Sequence, residues 1–125
     1  MNEEELKEKL TKEEYRVLRE GDTEKAFSGK YVEEDSEGVY KCKACGNKLF
    51  SSKTKYKSGT GWPSFYKPLK EGSVKTKPDN SLGVERTEVV CSNCDSHLGH
   101  VFQDGPKPTG KRYCINSLAL NLDHE

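Results

Sequence analysis

Chemistry in this sequence is concentrated in its thiols. There are five cysteines, and four of them form two Cys-x-x-Cys pairs, Cys42/Cys45 and Cys91/Cys94. Each pair holds two thiolates on one tight turn. Two such turns complete a tetrahedral sulfur site, for which zinc is the default and iron the main competitor. A redox motif of thioredoxin type is the alternative, but it needs a βαβ setting and accounts for one pair only. With all four positions filled by sulfur the site is closed, so its metal is structural. Residues 46–90 separate the pairs, 45 residues in all. A compact zinc ribbon needs roughly 15–20, so the metal ties the base of a long excursion.

Cys114 is the odd thiol, in Arg112-Tyr113-Cys114-Ile115-Asn116. It is either a small buried hydrophobe or a nucleophile. Arg112, two residues away on the same strand face, would lower its pKa and favour thiolate. His97-Leu98-Gly99-His100 adds two imidazoles. They are candidate metal ligands, core residues or acid catalysts, and the first role is weakest because four cysteines already fill a tetrahedral sphere. Histidine's pKa near neutrality makes it a natural proton donor to a thiol's reaction partner. On a regular strand His97 and His100 face opposite sides, so a bend at Gly99 is required if both serve one site. Trp62, the chain's only tryptophan, sits in the loop Ser58-Gly59-Thr60-Gly61-Trp62-Pro63-Ser64-Phe65. It is a core plug or a rigid aromatic wall for a ligand, with Gly59 and Gly61 permitting close backbone approach. His124 reads as a frayed end.

The elements that position these groups must be small. Of 125 residues, 31% are hydrophobic and 34% charged, a composition that supports one modest core and calls for a staple. A structural zinc supplies roughly 10–16 kcal/mol in model peptides. Basic and acidic residues balance at 21 each, which leaves no overall electrostatic footprint for nucleic acid or an anionic membrane. No apolar run is long enough to span a bilayer, and the start, Met1-Asn2-Glu3-Glu4-Glu5, is acidic where a signal peptide is basic and then apolar. A cytoplasmic, reducing compartment is expected, and it favours metal-bound or free thiols.

Residues 3–10 predict a short amphipathic helix. Thr11-Lys12-Glu13-Glu14 is a capping-box pattern opening a second helix that ends at Gly21, and Asp22 is placed to cap one more turn through Phe27. Strands are predicted over Val39–Cys42, Lys48–Phe50, Val84–Cys91, His97–Phe102, Lys111–Asn116 and Ser117–Leu122. The fold class is therefore mainly β (α+β): an antiparallel β domain, residues 38–125, under a helical cap, residues 1–37, in a single domain spanning 1–125.

Taken together, Thr11–Tyr15, Ala26–Tyr31, Cys42-Lys43-Ala44-Cys45-Gly46, Gly61-Trp62-Pro63-Ser64-Phe65, Cys91-Ser92-Asn93-Cys94, His97–Phe102 and Arg112–Asn116 resemble the peptide methionine (R)-S-oxide reductases of the B type. This is one of two enzyme types that each reduce one sulfoxide epimer. The resemblance implies two antiparallel sheets in a β-tent and one structural zinc ion on Cys42, Cys45, Cys91 and Cys94, with no organic cofactor. It implies Cys114 as the nucleophile that becomes a sulfenic acid. His97 and His100 would assist protonation of the sulfoxide oxygen, and Asn116 would orient the substrate. Trp62 would receive its methyl group, with Phe65 as neighbour. Expected partners are oxidised proteins carrying methionine-R-sulfoxide and a thiol reductant, thioredoxin or smaller. The molecule is expected to act as a monomer, with no nucleic acid and no membrane. One departure stands out: Thr60 occupies a position where many members carry a second, resolving cysteine. A one-cysteine cycle with an external thiol follows. The rival reading, from another class, is a zinc-stabilised binding module without catalysis.

Overall fold

Helix α1 (Glu3–Lys9) opens at Asn2, whose side chain accepts from the Glu5 amide while the Glu5 carboxylate reaches back to Asn2. Helix α2 (Lys12–Glu20) repeats the device with Thr11 and Glu14, and Gly21 closes it in the left-handed conformation at φ 73°. Such caps are each worth about 1 kcal/mol. The structure, a computed structural model, describes residues 2–124; Met1 and Glu125, the ends of the expected 1–125 span, lie outside the described residues. No further helical turn follows Asp22. There two backbone donors go to distant acceptors, Glu24 N to Asn116 Oδ1 at 3.0 Å and Phe27 N to Gly61 O at 2.8 Å.

Nine strands follow among the described residues: β1 (Val39–Cys42), β2 (Lys48–Ser51), β3 (Lys55–Tyr56), β4 (Ser64–Phe65), β5 (Val74–Asp79), β6 (Arg86–Cys91), β7 (His97–Phe102), β8 (Arg112–Ile115) and β9 (Leu120–Asp123). They form a sheet of order β2-β1-β9 and a second of order β3-β4-β8-β7-β6-β5. Every pairing is antiparallel, so the expected mainly antiparallel β fold is the one observed.

Two further local expectations are corrected, and one edge strand is added to those expected. Ser117–Leu122 is not one strand. Ser117–Ala119 makes a 3-10 turn, with Ala119 N on Asn116 O and Leu118 N on the Glu24 carboxylate, and the chain crosses there from the second sheet to the first. The Trp62 loop ends in a short strand, β4, paired with β8. And β5 was not foreseen: Lys75-Thr76-Lys77-Pro78 is exposed and unalternating, as suits an edge strand protected by lysine and proline.

The core lies between the sheets. Phe65 stacks on Phe50 at 4.5 Å between ring centroids and meets Tyr40 edge-on at 5.2 Å. Leu6, Leu10, Val17 and Leu18 lay the helices over the same core. Among the described residues, no helix is long and apolar enough to cross a membrane.

Candidate active site and metal centre

Each cysteine pair sits on a turn between hairpin strands. Cys42 ends β1 and its carbonyl accepts from Gly46 N at 2.8 Å; Cys91 ends β6 and its carbonyl accepts from Asp95 N at 2.9 Å. The turns face each other, so that Cys42 Sγ lies 3.7 Å from Cys94 Sγ and Cys45 Sγ 3.6 Å from Cys91 Sγ. All four sulfurs fall within 4.8 Å of one another. A tetrahedral ion with sulfur at about 2.3 Å requires edges of about 3.8 Å, so the donor set fits a single metal ion without rearrangement. Asn47 Nδ2 lies 3.6 Å from Cys91 Sγ, and Arg19 of α2 holds the second turn through Cys94 O at 2.8 Å and Ser96 Oγ at 3.1 Å.

Cys114 lies on the outer face of the large sheet, in a row of directly paired residues. Glu88 of β6 pairs with His100 of β7, His100 with Cys114 of β8, and Cys114 with Ser64 of β4. Paired residues share a face, so sheet register alone gathers an acid–base group and a thiol. Alternation sends the neighbours Tyr113 and Ile115 inward. A cleft of about 260 Å³ opens over this row, lined by Thr60, Trp62, His100, Arg112, Cys114 and Asn116 together with Thr23, Arg86, Gly99 and Phe102.

The bend required to bring the two histidines together is a bulge rather than a kink at Gly99. Val89 pairs with Gly99 and Val90 with His97, which leaves Leu98 as an extra residue. The extra residue reverses the alternation and puts His97 on the same face as His100, their rings 5.4 Å apart. Gly99 serves a different need: a Cβ there would collide with the carbonyl oxygen of Cys114, so β7 could not lie this close to β8.

Each imidazole is tied to a carboxylate, His97 Nδ1 to Glu88 at 2.7 Å and His100 Nε2 to Asp79 at 2.7 Å. His97 Nε2 is buried and has no partner among the described residues. Burial pulls His100 below the ordinary histidine pKa, against the opposing pull of Asp79. Burial likewise pushes the Cys114 thiol above its ordinary pKa; the Thr60 hydroxyl, 3.9 Å from Sγ, and Arg112 oppose it without winning. Arg112 is spent largely elsewhere, clamped on Asp104 at 2.9 and 3.1 Å and stacked on Phe102 at 4.4 Å. The expected net lowering of the thiol pKa by Arg112 is thus reversed by desolvation.

Trp62 is half-buried on the cleft wall, its indole Nε1 donating to Glu24 O at 3.0 Å. Gly61 beside it, at φ 97°, packs against Ala26 and Phe27, where a Cβ would not fit. Asn116 reaches the cleft, but its amide is already committed: Nδ2 donates to Leu98 O at 3.0 Å and Oδ1 accepts from Glu24 N at 3.0 Å. It braces the loop at Glu24 against the bulge. Phe65 is not on the cleft. It pairs with inward-facing Tyr113, one residue out of phase with Ser64 and Cys114, and is fully buried in the aromatic core. His97 lies behind His100 and is almost wholly buried. Asp79, Glu88 and Glu24 were not singled out by sequence, and only their placement by the fold marks them.

A family model described as a SelR domain matches residues 10–124. The chain is 56% identical over 124 residues to the peptide methionine sulfoxide reductase MsrB of Leptospira interrogans, covering 99% of this chain and 95% of that protein. It is 58% identical over 124 residues to the protein of the same name from Methanosarcina barkeri, covering 99% and 87%. To that of Pseudomonas savastanoi pv. phaseolicola it is 58% identical over 119 residues, covering 95% and 91%.

Proposed function

Because the chain belongs to the SelR-domain family of MsrB-type peptide methionine sulfoxide reductases, we propose that it reduces the R epimer of methionine sulfoxide in proteins to methionine, with Cys114 as nucleophile and His100 as proton carrier. The observation that carries this reading is the row Glu88–His100–Cys114–Ser64, which sets a thiol beside an imidazole at the floor of the cleft.

A sulfoxide sulfur is a poor electrophile until its oxygen is protonated, so the thiol needs an adjacent acid. Burial keeps both groups neutral at rest, thiol on Cys114 and imidazole on His100. The Sγ proton passes to His100 and on to the sulfoxide oxygen as the thiolate attacks the sulfoxide sulfur. That attack forms a sulfur–sulfur bond; the hydroxyl then passes from the substrate sulfur to Cys114 Sγ, so the substrate's sulfur–oxygen bond and the new sulfur–sulfur bond both break as a sulfur–oxygen bond forms on Cys114. Methionine leaves, reduced by two electrons, and Cys114 is left as a sulfenic acid. The proton and the oxygen both end on Cys114, so no outside proton is consumed. Trp62 walls the methyl group, and Asn116 with Glu24 holds the wall in place. His97 backs His100 with its own carboxylate partner.

Thr60 stands beside the thiol, and the other four cysteines cluster as metal ligands. The sulfenic acid is therefore reduced by an external thiol, thioredoxin or a smaller one. Cys42, Cys45, Cys91 and Cys94 hold one structural zinc ion, which would brace the hairpins that carry β6 and β7. The protein works as a monomeric single domain, residues 1–37 capping a zinc-stapled core of 38–125, in the reducing cytoplasm.

Epimer-resolved reduction of a sulfoxide peptide with dithiothreitol tests the reading. Loss of the R epimer alone, abolished by Cys114→Ser, is expected. No turnover would leave the non-catalytic, metal-stabilised binding module as the better account. After one equivalent of substrate, a dimedone-trapped sulfenic acid on Cys114 is expected in place of a disulfide to any metal-site cysteine.

A further inference from the structure

We infer that Asp79, carried on the edge strand β5, is a positioning residue that holds the His100 ring with Nε2–H on its carboxylate and leaves Nδ1 as the nitrogen that handles the reaction's proton. The inference rests on the assignment of Cys114 and His100 made above, and assigns a role to a residue outside that pair.

The mount is rigid. Asp79 Oδ2 accepts from His100 Nε2 at 2.7 Å and from Arg86 Nη2 at 3.1 Å, while Oδ1 accepts from the Ser81 amide at 3.0 Å. Asp79 and Arg86 are direct cross-strand partners at the mouth of the β5–β6 hairpin. The carboxylate thus reaches His100 diagonally across β6, fixed by a backbone donor and a guanidinium before it meets the ring. A neutral imidazole has one N–H, and a carboxylate on one nitrogen decides which. With Nε2 engaged on Asp79, Nδ1 is the remaining proton acceptor.

The charged and titratable groups around the ring come from every neighbouring strand. Asp79 is on β5, Arg86 and Glu88 on β6, His97 on β7 itself, and Arg112 and Cys114 on β8. Glu88 is spent on His97, Arg112 on Asp104 and Asp79 on His100. Burial, Arg86 and His97 disfavour imidazolium, and Asp79 is the counterweight. The Asp79 carboxyl itself is held well below the usual carboxylate range, chiefly by His100 and then by Ser81, so it stays ionised across the working pH range.

Between the two pKa values the protein holds one proton that either His100 or Cys114 can carry, and the productive form is the one with the proton on His100. Its share falls tenfold for each unit by which the His100 pKa drops. Asp79→Asn keeps an acceptor for Nε2–H but removes the charge. Loss of an opposite charge at this distance moves a pKa by about 1–3 units. The His100 pKa, followed by nitrogen-15 NMR, is expected to fall in D79N, and the single-turnover rate of methionine formation at neutral pH to fall by the matching factor, tenfold or more. A purely structural role would lower the pKa and leave the rate unmoved. A D79N rate within twofold of wild type overturns the inference, as does a lowered His100 pKa with an unchanged rate. The wild-type protein supplies an independent check should D79N not fold. Its neutral His100 is expected as the Nε2–H tautomer, and an Nδ1–H tautomer overturns the inference. The wild-type turnover run alongside separates the two levels: methionine formation with an unaffected D79N sinks the role of Asp79 alone, whereas no methionine from wild type sinks the reductase reading and this inference with it.

Discussion

Replacing Phe65 by alanine asks whether it belongs to the substrate wall, as the family resemblance implies, or to the core, where the fold puts it. Its side chain is fully buried, stacked on Phe50 at 4.5 Å and edge-on to Tyr40 at 5.2 Å. Truncating a buried phenylalanine costs about 3–5 kcal/mol, and the two aromatic contacts favour a value of about 4. For a chain of 125 residues the unfolding entropy is about 0.26 kcal/mol/K, so Tm falls by about 15 °C. The register that sends Phe65 inward sends Ser64 to the Cys114 row, so the cleft is left standing. Steady-state kinetics at 15–20 °C on the folded variant are therefore expected to give a KM for a sulfoxide peptide within about twofold of wild type. Trp62→Ala should do the opposite, raising KM with a smaller loss of Tm, because Trp62 is only half-buried and lines the cleft. If Phe65→Ala instead raised KM tenfold while Tm fell by less than about 5 °C, the core assignment would be wrong and the wall assignment right.

Metal removal is expected to unfold the protein or lower Tm by tens of degrees, since a four-sulfur zinc site is worth about 10–16 kcal/mol against a total stability of about 5–15; a chelated sample, proven metal-free by elemental analysis, that melts within a few degrees of the loaded protein would refute this. Alkylation of Cys114 by iodoacetamide should keep accelerating past pH 9 in the free enzyme, because burial outweighs Thr60 and Arg112 and raises the thiol pKa. The sign for stability follows: the buried neutral thiol contributes fully below the unfolded thiol pKa of about 8.5, and that contribution is lost as pH rises through the higher folded value. A plateau in the alkylation rate by pH 7 would contradict both statements.

What was legible in the sequence is what is fixed locally. The caps at Thr11 and Gly21 are decided within one helical turn, and the four metal-site cysteines within two four-residue turns. Strands β7 and β8 announce themselves by apolar residues bounded by turn signals, and the core buries Leu98, Val101, Tyr113 and Ile115 among them. The rest depends on pairings that no local pattern encodes. Nothing in Lys75-Thr76-Lys77-Pro78 alternates, since an edge strand protected by charge has no buried face to betray it. Whether Ser64 or Phe65 joins the Cys114 row depends on a single step of register against β8, and a one-residue slip exchanges them. The bulge at Leu98 is likewise invisible until β6 supplies the partner residues against which one residue is extra. Asp79 lies 21 residues from His100 in sequence and touches it only because β5 pairs with β6 and β6 with β7.

The electrostatics of the cleft tie these placements to the chemistry. One cause, burial, raises the thiol pKa of Cys114 and lowers the imidazole pKa of His100, so it favours the uncharged pair twice over. A resting thiolate would be more nucleophilic, but a charged pair in a cleft built to admit a neutral sulfoxide would be costly to desolvate. The neutral pair avoids that cost and, in the proposed mechanism, still holds the one proton the sulfoxide oxygen needs. What the pair lacks is basicity on His100, and the two fixed charges nearest the ring act in opposite senses: Arg86 opposes the imidazolium and Asp79 supports it. Asp79 is in turn tied to Arg86, which offsets part of that guanidinium's repulsion where it meets the ring. On the mechanism proposed above, the edge hairpin that the sequence hides would supply the carboxylate that lets a buried histidine accept a thiol's proton and hand it on. Removing that charge should slow the chemical step while leaving the cleft, the thiol and the metal site in place.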